Sequence, residues 1–138
     1  AEVAGLLPVL GGSESIPRYN EGYYIQPTIF SNLSRDQFIA NQEVFGPVLA
    51  VMPYKNLKEA IDIANGTQYG LSAYIYAKDN ATAEPIAQQM RCGMVHINGA
   101  PLLAEAPFGG YKQSGNGREW GLYGLHEFLE VKAVMKTS

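Results

Sequence analysis

Between Val48 and Asn98 the chain alternates apolar runs with helical patterns at a spacing that leaves few folds open. Val48 to Tyr54 is a short, nearly continuous apolar run, the composition of a strand covered on both faces. Asn56 and Glu59 form a variant capping box that opens a helix. Leu57, Ala60, Ile61 and Ala64 then fall at i, i+3, i+4 and i+7, one apolar stripe, and Asn65-Gly66 stops the helix. Leu71 to Ala77 reads as a second strand. Asp79, Asn80 and Thr82 offer N-caps for a second helix whose buried stripe is Ala83, Ile86, Ala87 and Met90. Pro85 is tolerated only in a first turn, which places the start near Thr82, and Gly93 ends the helix. Met94 to Asn98 is a third strand. Strand–helix–strand–helix–strand with short connections requires parallel strands. The expected fold is therefore α/β: an open, mostly parallel βαβ sheet with flanking helices. Ligands of such sheets collect outside the carboxyl ends of the strands, and the loop after Asn98 lies at such an end.

The 138 residues are one domain's worth. Residues 1–21 are a lead-in, with an apolar run from Val3 to Leu10 before Gly11-Gly12-Ser13. Residues 22–98 form the βα core. Within it, Tyr23 to Phe30 has strand composition, but Pro27 confines it to an edge or a strand break. Asn32 to Asn41 is a polar connection anchored by Phe38 and Ile39. Residues 99–118 are rich in Gly and Pro and short of regular structure, which in a compact domain is usually functional. Residues 119–138 supply most of a helix, from about Arg118 to Glu127, and a last strand, Glu130 to Lys136. Val131, Ala133 and Met135 alternate there with Lys132, Val134 and Lys136, a half-apolar strand that needs a sheet partner.

Composition removes several function classes. A hydrophobic fraction of 46% with 17% charged residues is ordinary globular material. Net charge is −3 and the ten Lys and Arg are scattered, so no nucleic-acid partner is expected. No run approaches the roughly 18–20 apolar residues of a membrane span, and no leader pattern opens the chain, so no membrane partner is expected. A single cysteine cannot form an internal disulfide, which fits a reducing, cytoplasmic setting.

Chemistry concentrates in Gln42-Glu43-Val44-Phe45-Gly46-Pro47-Val48. The Glu43 carboxylate can accept hydrogen bonds from two neighbouring hydroxyls, as a ribose presents them, and the Phe45 ring can wall a flat heterocycle. Gly46 allows a ligand to approach the backbone, and Pro47 stiffens the exit into the strand. The plainer alternative is a turn with an exposed Glu and a core Phe. This stretch resembles the E-x-F-G-P-V motif of the aldehyde dehydrogenase superfamily, NAD(P)-dependent enzymes with a cysteine nucleophile. Gly22-Tyr23-Tyr24-Ile25-Gln26-Pro27-Thr28-Ile29-Phe30 resembles the family's G-Y-x-x-x-P-T strand. Pro107-Phe108-Gly109-Gly110-Tyr111-Lys112-Gln113-Ser114-Gly115-Asn116-Gly117-Arg118-Glu119 resembles its P-F-G-G-x-K-x-S-G-x-G-R-E signature. The resemblance runs from about Gly11 to about Lys132. Family members are several times longer, so it implies only their C-terminal portion.

The resemblance implies oxidation of an aldehyde to a carboxylic acid through a cysteine thiohemiacetal and hydride transfer to NAD or NADP. Glu43 and Phe45 would hold the nicotinamide ribose. Phe108 matches a ring lining the aldehyde tunnel, with plain core packing as its alternative, and Leu102 and Leu103 are weaker candidates for that wall. Glu119 matches a position on a proton path. Arg118 and Glu130 match positions in subunit contacts, against the alternative of a solvated surface, so a homo-oligomer closed by the C-terminal strand is expected. The family's nucleophile lies in an upstream F-x-x-x-G-Q-x-C pattern that this sequence lacks, so no catalytic residue is assigned to it. Cys92 falls at a helix end, where the macrodipole disfavours a thiolate, and reads as structural. Gly115-Asn116-Gly117 followed by Gly121 imitates a dinucleotide fingerprint without the preceding strand or the later acidic residue. The rival reading is a non-catalytic interaction module that keeps the fold and pairs with another subunit.

Overall fold

A computed structural model describes residues 5–14, 16–19 and 21–138, so the start of the Val3–Leu10 run lies outside the described residues. The chain divides into two compact units, Ala1–Thr67 and Gln68–Ser138. Each holds one pair of parallel strands.

In the first unit β1 (Thr28–Phe30) lies parallel to β2 (Val48–Ala50), with Thr28 opposite Val48 and Phe30 opposite Ala50. The expected strand from Tyr23 shortens to three residues because Pro27 brings no N–H to a ladder. Beyond Pro27, the Thr28 N–H donates to the Pro47 carbonyl at 2.8 Å. On its other side Ile29 exchanges hydrogen bonds with Val9 and Leu10 at 2.8 and 3.0 Å. The core is Phe30, Leu33 and Ile39, joined by Leu6, Val48, Ala50 and Met52. The β2 run is also shorter than expected, and it is covered on one face only. Val48, Ala50 and Met52 face the core, while Leu49 and Val51 remain exposed. Between the strands, α1 (Phe38–Asn41) buries Ile39 but turns Phe38 outward, so Ile39 and Leu33, not Phe38, anchor that connection.

Helix α2 (Leu57–Asn65) starts as its sequence requires. The Asn56 side chain accepts from the Glu59 N–H at 3.0 Å, and the Glu59 carboxylate reaches back to the Lys55 N–H at 2.7 Å. Its stripe is only partly covered: Ala60 and Ile61 are half-buried, Leu57 and Ala64 exposed. Arg35 donates to the Asp62 carbonyl at 3.1 Å in the last turn of this helix, where a cation also suits the dipole.

The second unit is a βαβ unit: β3 (Ser72–Ile75), α3 (Asn80–Ala87) and β4 (Met94–Ile97), with the strands parallel and Tyr74 opposite His96. Asp79 is the N-cap, accepting from the Thr82 N–H at 2.8 Å. Hydrogen bonds from the Thr82 side chain first, and from its N–H second, hold the Asp79 carboxyl below the usual range. The helix therefore begins two residues before Thr82, and Pro85 sits in its second turn. The helix also stops at Ala87, and a turn carries the chain on to Gly93. Its stripe follows the sequence: Ala83 is fully buried, and Ile86, Ala87 and Met90 are half-buried. Asn98, at φ 50°, ends β4. Its amide accepts from the Ala77 N–H at 2.9 Å and donates to the Asn80 side chain at 3.0 Å.

The expected α/β fold with parallel strands holds: the ladders join β1 to β2 and β3 to β4, one parallel pair in each unit. One expectation changes, because the last strand is not formed. After α4 (Gly121–His126), residues 129–138 carry no helix or strand, and the side chains of residues 130–138 are exposed. An alternating segment with one apolar face gains nothing from extension until a ladder partner covers that face.

Candidate functional site

Glu43 and Phe45 lie in the loop between α1 and β2, at the amino ends of the β1–β2 pair. Two tight turns shape this loop: the Gly46 N–H donates to the Val44 carbonyl at 2.9 Å, and the Val48 N–H to the Gly46 carbonyl at 2.8 Å. They leave the Phe45 ring 95% exposed, so it is not a core residue. The Glu43 carboxylate is also exposed and accepts no hydrogen bond among the described residues. A Cβ built on Gly46 would meet nothing within 4 Å, so the glycine is not demanded by packing within the chain. An unpaired carboxylate, a bare ring and an open backbone step fit a ribose carrying a flat base.

In the second unit the residues after β4 wall a cavity of about 300 Å3. Leu102, Leu103, Pro107 and Trp120 provide apolar walls, and His96 at the end of β4 is the titratable one. Phe108 does not line this cavity. It faces a second one, of about 330 Å3, together with Arg118, Glu119, Glu127 and Phe128. Phe108 and Trp120 connect the two walls, their ring centroids 5.0 Å apart and tilted at 43°. The expected single wall of Phe108, Leu102 and Leu103 is thus two walls sharing a ring pair.

Backbone contacts fix this loop. Phe108 and Glu119 exchange N–H to carbonyl hydrogen bonds at 2.7 Å each, so Glu119 is held by its main chain while its side chain stays exposed. The Gly70 carbonyl accepts from both Gly93 at 3.0 Å and Tyr111 at 2.9 Å. Arg118 works within the same loop: it donates to the Gly110 and Gly117 carbonyls at 3.1 and 2.6 Å and lies 5.5 Å above the Tyr111 ring. Glu130 lies apart from these groups on the exposed C-terminal segment.

Two residues were not assigned a role from the sequence. Trp120 belongs to no recognised pattern, and His96 belongs to no motif. The available signal was a histidine inside the otherwise apolar Met94–Ile97 strand. Cys92 donates its thiol to the Met94 carbonyl at 3.1 Å, and burial pushes its pKa up. A raised value means less thiolate at any given pH. Iodoacetamide should therefore alkylate Cys92 more slowly in the folded chain than in urea, with the folded rate rising at higher pH. An equal or faster folded rate would reverse the assignment of an inert thiol. Among the described residues no cluster of three His, Cys, Asp or Glu side chains could hold a metal, and no helix is long and apolar enough to cross a membrane.

A sequence profile described as the aldehyde dehydrogenase family matches residues 1–134. A 3-succinoylsemialdehyde-pyridine dehydrogenase from a Pseudomonas species is 54% identical over 127 residues, covering 92% of this chain and 27% of that protein. Among solved structures, a variant of aldehyde dehydrogenase C from Pseudomonas syringae, complexed with NAD+ and octanal, superposes with a TM-score of 0.92 at 43% identity. It covers 96% of this chain and 27% of that one. Betaine aldehyde dehydrogenase from Staphylococcus aureus, in complex with NAD+, gives a TM-score of 0.86 at 38% identity, over 93% of this chain and 26% of that one. The chain thus spans about a quarter of the length of the relatives it matches.

Proposed function

The chain belongs to the aldehyde dehydrogenase family, and from that premise we propose that it supplies the nicotinamide-ribose contact and the substrate-side loop of an NAD(P)-dependent enzyme, with the cysteine nucleophile carried by residues outside this sequence. The observation that carries this reading is the Glu43–Phe45–Gly46 loop, whose ring is bare and whose carboxylate is exposed with no hydrogen-bond partner among the described residues. Bound NAD or NADP supplies the hydride acceptor. Glu43 accepts hydrogen bonds from the two ribose hydroxyls, and Phe45 packs beside the ribose and limits its swing. Leu102, Leu103 and the Phe108–Trp120 pair wall an aldehyde. Glu119 stands on the proton path behind the site, and a reducing cytoplasm suits the lone thiol.

A chimera tests the reading. With this chain replacing the matching segment of the Pseudomonas syringae enzyme, aldehyde-dependent NADH formation is expected. Glu43→Gln keeps the size and removes the charge, and should lower kcat/KM about tenfold with the fold intact. A folded chimera without turnover, or one indifferent to Glu43→Gln, would refute it.

The C-terminal segment favours a second reading for the chain by itself, as an association module. Phe128, Val131, Val134 and Met135 are all exposed, Val131 by 98%. Pairing between copies would give residues 128–136 the ladder they lack, with Arg118 and Glu130 near the contact, and makes the chain a homo-oligomer. Sedimentation should find the intact chain dimeric and a chain ending at Glu127 monomeric. Equal association of the two would exclude this segment as the interface.

A further inference from the structure

We propose that the His96 cavity is a subsite that reads a hydrogen-bond donor, an O–H or N–H, on an otherwise apolar aldehyde; that the ligand is an aldehyde rests on the function proposed above. His96 is 6% exposed and its imidazole is fixed on two sides. Nδ1 lies 2.8 Å from the Ala100 carbonyl, which can only accept, so Nδ1 carries the proton. The Tyr74 ring stacks on one face at 4.6 Å and 12°. In the neutral ring Nε2 is then an acceptor. It is buried and has no hydrogen-bond partner among the described residues. Buried polar atoms in native proteins are hydrogen-bonded in the great majority, so this nitrogen, in the wall of the cavity, suits a ligand's donor.

The rest of the cavity defines what carries that donor. Its volume of about 300 Å3 is at the small end for ligand pockets, and no Asp, Glu, Lys or Arg lines it. A charged ligand would lose its hydration there without compensation, whereas an aryl or short alkyl group fits against Leu102, Leu103 and Trp120. Trp120 is held in this wall at φ 63° and ψ 161°, a conformation that non-glycine residues rarely adopt. Such conformations persist where the surroundings impose them and cluster at ligand sites.

The test titrates the chain with 3-hydroxybenzaldehyde and with 3-methoxybenzaldehyde, which keeps the ring and the aldehyde but has no donor. The readouts are the imidazole 15N resonances and the amides of Ala100, Leu102 and Leu103. The chain has two histidines, so His126→Gln assigns His96. The hydroxy compound should bind about five- to tenfold more tightly, move the Nε2 resonance, and lose its advantage in His96→Phe. Equal affinity with shifted loop amides and an unmoved Nε2 overturns the donor-reading role alone. Unmoved loop amides with both compounds overturn it together with the substrate-side reading of the loop. If His96→Phe does not fold, the comparison of the two compounds on the unaltered chain decides.

Discussion

Gly93→Ala is expected to unfold the second unit at much lower urea than the unaltered chain. The added Cβ would fall 1.7 Å from the Gly109 carbonyl oxygen and 2.6 Å from its carbon, both backbone atoms that no rotamer change can move. Relief requires the backbone at Gly93, just before β4, and the Gly109–Gly110 segment of the loop to separate. Separation pulls Gly93 and Tyr111 away from the Gly70 carbonyl they share. Overpacking typically costs about 1–3 kcal/mol, and a backbone collision of this depth belongs at or beyond the upper end. Trp120 is the chain's single tryptophan and lies in this unit, so its fluorescence during urea unfolding measures the effect. A midpoint shift worth less than 1 kcal/mol, in order-of-magnitude terms, would mean that the contact relaxes cheaply.

Phe30→Ala should be as damaging in the first unit. Phe30 is one of three buried residues in that core, and removing its ring leaves Leu33 and Ile39 facing a cavity. Loss of a buried Phe costs about 3–5 kcal/mol where the site cannot collapse. The Val51 N–H donates to the Phe30 carbonyl at 2.8 Å and the Leu33 N–H to the Val51 carbonyl at 3.2 Å. Both amides should lose hydrogen-exchange protection in the variant. Retained protection at both would show that Leu6 and Met52 close over the gap.

Local signals in the sequence were legible where a side chain bonds its own neighbours. Asn56 and Glu59 cap α2 as their spacing implies, and the four-residue stripe of α3 is the face that is covered. What failed depended on a partner that this chain does not supply. The run from Val48 to Tyr54 reads as covered on both faces because its composition is apolar throughout, yet Leu49 and Val51 remain exposed. The strand at Glu130–Lys136 has the right alternation and no ladder. Pro85 misled in the other direction, since the Asp79 cap starts α3 early enough to place the proline in its second turn. The loop with Glu43 and Phe45 was found by its motif, but only the structure separates an exposed ring from a core one. His96 stands in no motif, and its partner is a carbonyl four residues away, a pairing that no spacing rule announces.

The way the loop after β4 is tied has a consequence for how such a chain can diversify. It is fastened at Ala100, through the Ile97 carbonyl and the His96 ring, and again at Leu103–Ala104, where carbonyls accept from Ala106 and Gly121. Pro101 and Leu102 lie between these fastenings with exposed side chains. Changes of length there leave both clasps closed, and lengthening a flexible segment is inexpensive, about 0.6 kcal/mol for each doubling. That short span is an exchangeable insert: descendants of one ancestral chain can remodel the cavity mouth by insertion or deletion while inheriting the same two clasps.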